Sequence, residues 1–213
     1  MQGTKKKWVW NELVFATGNA HKVEELDAIF RQALGIRVIG LNGLSDLPEI
    51  VEDQDTFEGN AIKKAETIAR LHNRPVAADD SGLAVEALEG APGVYSARYA
   101  GENATDRENN RKLLREMEKV GAKERECAFV CALALAIPGE PTQTVRGEVT
   151  GEITLEPRGN YGFGYDPMVY LPELDRTVAE LLPEEKNQIS HRATAAKKLI
   201  PLLLKAYSFP TSI

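Results

Sequence analysis

The run "CAFVCALALAI" (127–137) holds eleven residues without one polar side chain. A segment that is apolar on both parities has no face to offer water, so 128–137 is expected to form a central strand of a sheet. It falls short of the roughly 18 apolar residues that a membrane span needs, and no other run comes closer. Cys127 and Cys131 are the only two cysteines. In a strand they share a face about 13 Å apart, at about 3.3 Å per residue, too far to bridge. They are expected to be buried core thiols. A zinc site would need more ligands, and His21, His72 and His191 are not clustered with them.

The flanking sequence predicts alternating strands and helices. "ELVFA" (12–16) is a short apolar run closed by "TGN", and Val23, Leu26, Ile29, Phe30 and Ala33 follow at helical spacing over His21–Leu34. "IRVIGL" (36–41) reads as a second strand, followed by the acidic loop "SDLPEIVEDQD". Asp55 with Glu58 resembles a capping box for a helix whose stripe is Phe57, Ala61, Ala65 and Ile68. "PVAA" (75–78) is a short strand expected to end at "DDSG", and Thr105 with Glu108 marks a second capping box before a helix over 106–119. From Val145 to Glu156 strict alternation predicts a half-exposed strand bent at its glycines. A last helical region over about 184–206 follows Pro183, with an interruption expected near Pro201.

One compact α/β unit with a mixed sheet and helices packed on it is the expected fold. Its boundaries are placed at 12–207, with an N-terminal extension (1–11) and a C-terminal tail (208–213). The net charge of −6 argues against non-specific binding to nucleic acid or to an anionic membrane surface. The basic start "MQGTKKKWVWNE" has too short an apolar stretch for a signal peptide. A cytoplasmic protein is expected.

Candidate chemistry falls in the connections. "ATGNAHK" (16–22) puts Thr17, Gly18 and Asn19 between a strand and a helix start, where unpaired backbone N–H groups and Lys22 can hold phosphate oxygens; the GxxxxGK spacing is absent, and an ordinary turn with a solvated lysine is the alternative. In "AADDSG" (77–82) the adjacent carboxylates Asp79 and Asp80 resist burial unless something positive faces them. Successive strand residues point to opposite faces, so one can serve a metal or a water while the other holds the loop. A plain surface turn is the alternative. Glu49, Glu52, Asp53 and Asp55 make a second acidic cluster, and Lys64 lies on the same helix face as the apolar stripe, where snorkelling is the alternative. "EEKNQISHR" (184–192) gathers Lys186, His191 and Arg192 around Ser190, a candidate N-cap. "GNYGFGYDP" (159–167) interleaves three glycines with three aromatics, more than a turn requires, and hints at a flat ligand.

The segments "TGNAHK", "TFEGNA", "ADDSGLAVEALEGAPGVYSARYAG", "GFGYDP" and "EKNQISHR" resemble, in order and approximate spacing, the inosine triphosphate pyrophosphatase family of non-canonical purine NTP pyrophosphatases. The resemblance runs from about Leu13 to Leu204. It implies an elongated two-lobed α/β architecture with the active-site cleft between the lobes, a homodimer, Mg²⁺ as cofactor, and hydrolysis of ITP, dITP and XTP to monophosphate and pyrophosphate. It implies that Thr17, Gly18, Asn19, Ala20, His21 and Lys22 bind the triphosphate. Asp80 would be the metal-linked general base, Ser81 would contact the nucleotide, and Lys64 would assist the phosphates. Glu52 would help hold magnesium, with Glu49 as its rival. Phe163, Gly164, Tyr165, Asp166, Lys186, His191 and Arg192 would surround base and sugar, with Phe163 or Tyr165 stacking on the purine, the glycines letting the backbone approach it, and Arg192 a candidate donor to its 6-oxygen. A triphosphate sensor without hydrolysis and a pyrophosphatase for pyrimidine or modified nucleotides are the competing readings.

Overall fold

The structure, a computed structural model, describes residues 4–120 and 124–209. Residues 1–3 of the expected extension and 210–213 of the expected tail lie outside them. The elements run β1 (Lys6–Lys7), β2 (Glu12–Phe15), α1 (Ala20–Leu34), β3 (Arg37–Ile39), α2 (Phe57–His72), β4 (Val76–Val85), α3 (Asp106–Met117), β5 (Glu126–Ala136), β6 (Gln143–Ile153), β7 (Val169–Leu171), β8 (Arg176–Thr177), α4 (Pro183–Ile189), α5 (His191–Ala206) and β9 (Tyr207–Ser208). Seven strands form a mixed sheet in the order β3-β2-β4-β5-β6-β7-β8, flanked by helices. The apolar run is β5, the fourth of the seven. β2 pairs in parallel with β3 and β4, whereas β7 pairs antiparallel with β6 and β8.

The chain divides into two compact units, Met1–Asp80 with Cys131–Gly147 and Arg192–Ile213, and Ser81–Val130 with Glu148–His191. The first has a core of Leu13 and Phe15 from β2, Leu26 and Phe30 from α1, Leu133 and Leu135 from β5, and Leu199 and Leu203 from α5. Trp8 joins it, 2% exposed, and β1 pairs in parallel with β9. The second unit buries Leu83 and Val85 of β4, Leu113 and Met117 of α3, Phe129 of β5 and Val169 of β7.

Local chemistry explains several helix ends. Asn19 caps α1 by accepting from the backbone N–H groups of His21 and Lys22, and Gly35 closes the helix at φ 68°. Thr105 and Glu108 form the predicted capping box of α3. Three expectations are corrected. α2 is capped by Thr56, whose hydroxyl accepts from Gly59 N–H, and not by Asp55; Glu58 instead pairs with Arg146. The strand expected to stop at "DDSG" continues through it to Val85, because the carboxylates find partners inside the fold. The last helical region breaks at Ser190, whose ψ of 157° is extended, while Pro201 lies within α5 at an exposed position.

Cys127 and Cys131 are both free and buried. Burial, aided by Glu152 and opposed by Arg125, pushes the Cys127 thiol up to about 12. The native protein should therefore leave both thiols unlabelled by a chromogenic disulfide reagent at pH 8, and label both once denatured. Rapid labelling of either in the native state would contradict the buried placement.

Candidate functional site

In the first unit, the two adjacent carboxylates of β4 have separate partners. Asp79 is 1% exposed and accepts from Lys22 Nζ at 3.1 Å. Its Oδ2 also accepts from Arg192 Nε at 3.1 Å and from a second guanidinium nitrogen at 3.0 Å. Arg192, 1% exposed, donates its remaining terminal nitrogen to the buried Glu25 of α1. Asp79 and Glu25 are thus ion-paired with Lys22 and Arg192. Burial works against the guanidinium charge, but Asp79 and Glu25 outweigh it and leave the Arg192 pKa raised.

Asp80, 6% exposed, accepts from Asn60 Nδ2 of α2 at 2.9 Å. Burial is the main cause that pushes its carboxyl up to about 6; Glu52 and Asp79 add to the effect, while Lys64 and the Asn60 hydrogen bond oppose it. Lys64 donates to Glu52 at 2.7 Å. Burial disfavours its ammonium, but the surrounding carboxylates Asp79, Glu52 and Asp80 prevail and its pKa is raised. Lys64 is an ion-paired group and not a snorkelling one. Among the described residues no three His, Cys, Asp or Glu side chains cluster as a complete metal centre. Asp80 and Glu52 nevertheless fit a hard cation that takes one or two protein carboxylates and completes its shell with substrate phosphates and water. Glu52 is the acidic-loop residue whose charge reaches Asp80. Glu49 is exposed.

The α1 entry differs in one respect from the sequence expectation. Two of the amides counted as phosphate donors, those of His21 and Lys22, are occupied by the Asn19 side chain, and Thr17 Oγ1 accepts from Asn19 N–H at 3.2 Å. Gly18, Ala20 and His21 are exposed. Lys22 is the charged group of this turn, and it is aimed at Asp79.

In the second unit, Ser81 follows Asp80 directly in β4 and is half-buried. Asp166, 2% exposed, is the hub of the glycine-aromatic loop: its Oδ2 accepts from Phe163 N–H at 2.8 Å and from Lys186 Nζ at 2.6 Å. The Lys186 ammonium also stands 4.5 Å from the centroid of the Phe163 ring. Gly162, at φ +78°, is required by this arrangement, because a Cβ there would lie 2.1 Å from Asp166 Oδ2. This glycine lets the backbone approach the protein's own carboxylate, where the sequence suggested approach to a ligand. Tyr165 is 6% exposed in the core cluster and its hydroxyl donates to Ser96 O at 2.9 Å. Its ring is a core member, whereas the Phe163 ring is half-buried. His191, 7% exposed, stacks on Phe129 with centroids 5.0 Å apart.

Two more corrections follow. Arg192, read as a donor for a base, is committed to Asp79 and Glu25. Asn60 and Glu25 join the candidate site without being sequence candidates, although each carries a signal: Asn60 is four residues before Lys64 and beside the apolar stripe, and Glu25 is one turn after Lys22.

Comparison with known proteins gives a consistent set of relatives. The model of the Ham1 family matches residues 13–202. A dITP/XTP pyrophosphatase of Geobacillus kaustophilus is 54% identical over 188 residues, which is 88% of this chain and 92% of that protein. The solved Ham1 protein of Staphylococcus aureus has a TM-score of 0.81 at 44% identity, covering 91% of this chain and 98% of its own. A HAM1 protein from Coxiella burnetii has a TM-score of 0.84 at 43% identity, covering 92% and 100%.

Proposed function

Because the chain belongs to the Ham1 family, we infer that it is a nucleoside triphosphate pyrophosphatase that hydrolyses ITP, dITP and XTP to the monophosphate and pyrophosphate, clearing non-standard purines from the nucleotide pool. One observation carries the assignment of residues: of two adjacent buried carboxylates, Asp79 is neutralised by Lys22 and Arg192, while Asp80 is held by a neutral amide and has its pKa pushed up to about 6. A carboxylate with that pKa is ionised at neutral pH and basic enough to take a proton in a transition state.

In the mechanism that follows, water attacks the α-phosphorus in line with the departing pyrophosphate, and its proton passes to Asp80. The new P–O bond forms as the bridge to the β-phosphorus breaks. Lys22 and Lys64 offset the charge gathering on the leaving group, Arg192 and Glu25 hold Asp79, and Asn60 holds the orientation of Asp80. Magnesium held by Asp80 and Glu52 would neutralise phosphate charge. Thr17, Gly18, Asn19, Ala20 and His21 are assigned to the triphosphate turn, and Ser81 to a nucleotide contact. We assign purine recognition to Phe163, Gly164, Asp166, Lys186 and His191, with Phe163 stacking on the base. A cytoplasmic homodimer is the matching assembly and location.

Selectivity follows from hydrogen-bond polarity. Hypoxanthine and xanthine carry an acceptor oxygen at position 6 where adenine carries a donor amine. With Arg192 committed elsewhere, Lys186 and backbone N–H groups supply donors to that oxygen. The test is one assay of ITP, dITP, XTP, GTP, ATP and dTTP with magnesium, scoring pyrophosphate against orthophosphate. Pyrophosphate release from the first three and discrimination against ATP are expected; orthophosphate release or a preference for dTTP overturns the reading. Phe163→Ala should raise KM for ITP roughly 5- to 150-fold, the equivalent of about 1–3 kcal/mol of base stacking, with the circular dichroism spectrum unchanged.

A further inference from the structure

Glycine loops are costly to hold in one conformation, because glycine loses more backbone freedom on folding than any other residue. Gly162 is immobilised by close contact with Asp166, whereas a Cβ built at Gly164 would meet nothing within 4 Å. Gly164, at φ +60°, is held by two hydrogen bonds from one helix. Gly164 N–H donates to Asp106 Oδ2 at 2.7 Å, and Asn110 Nδ2 donates to Gly164 O at 3.0 Å. Asp106 and Asn110 are four residues apart on α3 and so project from the same face. That helix is itself anchored: its capping box is complete, and Asn109, between the two, accepts from Ala100 N–H at 2.8 Å and donates to Ala97 O at 3.1 Å.

We propose that Asp106 and Asn110 are positioning residues for purine recognition, gripping Gly164 at its N–H and its C=O and so fixing the orientation of the adjacent Phe163 ring without touching the nucleotide. The inference rests on the reading of Phe163 as the base platform. It accounts for a polar pair spent on a loop glycine: Asp166 holds Phe163 at its backbone N–H and C=O, and the α3 pair fixes the next residue at its own N–H and C=O. A preset ring also needs less ordering when the purine arrives.

The test measures kcat and KM for ITP in Asp106→Ala, Asn110→Leu and Asp106→Asn, alone and combined with Phe163→Ala. Asp106→Ala and Asn110→Leu should each raise KM about five- to tenfold, as the loss of one hydrogen bond's ordering does, with kcat within about twofold. Asp106→Asn keeps an acceptor for Gly164 N–H and should stay near the wild-type KM. In the Phe163→Ala background neither substitution should raise KM further, because the ring through which they act is gone. Unchanged KM in the folded single variants, or full additivity with Phe163→Ala, overturns the proposal. Asp106 is exposed, so its variant folds even where Asn110→Leu does not. If Phe163→Ala alone leaves KM unchanged, the base-platform reading falls and this inference with it; if Phe163→Ala raises KM and the α3 variants do not, only the positioning role falls.

Discussion

Asp80→Asn is expected to lower kcat for ITP by about 10²–10⁴-fold, the usual contribution of a positioned general base, and at the same time to stabilise the protein stripped of divalent cations at neutral pH. Both effects have one cause. Burial pushes the Asp80 carboxyl up to about 6 in the folded chain, against about 3.9 in an unfolded one, so the native state binds the proton more tightly. The stabilisation this brings is fully present below about pH 4 and is lost as the pH rises through 6. Above pH 7 the buried charge costs at most about 3 kcal/mol, and Asn, which never ionises, avoids it. Urea denaturation in EDTA should show no difference between the two proteins near pH 4, a gap opening between about pH 4 and 6, and a plateau of about 1–3 kcal/mol in favour of the variant above pH 7. Near-normal turnover in Asp80→Asn would remove Asp80 from its role. A variant that is less stable at pH 7.5 would mean that the carboxylate is held by unrecognised positive charge.

Local signals were legible in the sequence and long-range ones were not. The apolar run of β5, the strand-turn-helix of β2 and α1 and the Thr105–Glu108 box are written in contiguous residues and are legible there, although the cap that Asn19 supplies to α1 is not. The extension of β4 through Asp79 and Asp80 was not, because two adjacent carboxylates followed by Ser-Gly look like a turn until their partners are known. Those partners come from residues 22, 60 and 192, and nothing local to β4 announces them. The same limit hid the difference between Phe163 and Tyr165. Both are aromatics in a glycine-rich loop, and only tertiary packing sends one into the core, with its hydroxyl on Ser96 O, while Lys186 flanks the other. The break between α4 and α5 was misplaced for a related reason. Proline is a visible breaker, whereas an extended serine is a property of the backbone path.

Arg192→Ala is expected to destabilise the fold by about 3–5 kcal/mol, the loss that follows when one partner leaves a buried ion pair. The wild-type network sets Asp79 and Glu25 against Lys22 and Arg192. Removing the guanidinium takes from Glu25 its ion pair with Arg192 and from Asp79 one of its two ion-paired cations, leaving Lys22 as the other. At about 2–4 °C per kcal/mol for a chain of this size, the melting temperature should fall by roughly 6–20 °C. Arg192→Lys should recover less than half of the loss, since one ammonium cannot serve both carboxylates with the geometry of a planar fork. Removing a carboxylate together with the cation restores the balance, so Arg192→Met with Glu25→Gln should be more stable than Arg192→Met alone. These results separate two roles for one residue. A base-contacting arginine would lose nucleotide affinity on substitution and keep its melting temperature. An arginine that holds Asp79 must lose stability first, and any fall in activity must follow the displacement of Asp79 and, through it, of Lys22. Wild-type stability in Arg192→Ala, combined with a raised KM for ITP, would return Arg192 to the nucleotide and leave the burial of Asp79 and Glu25 without its main counter-charge.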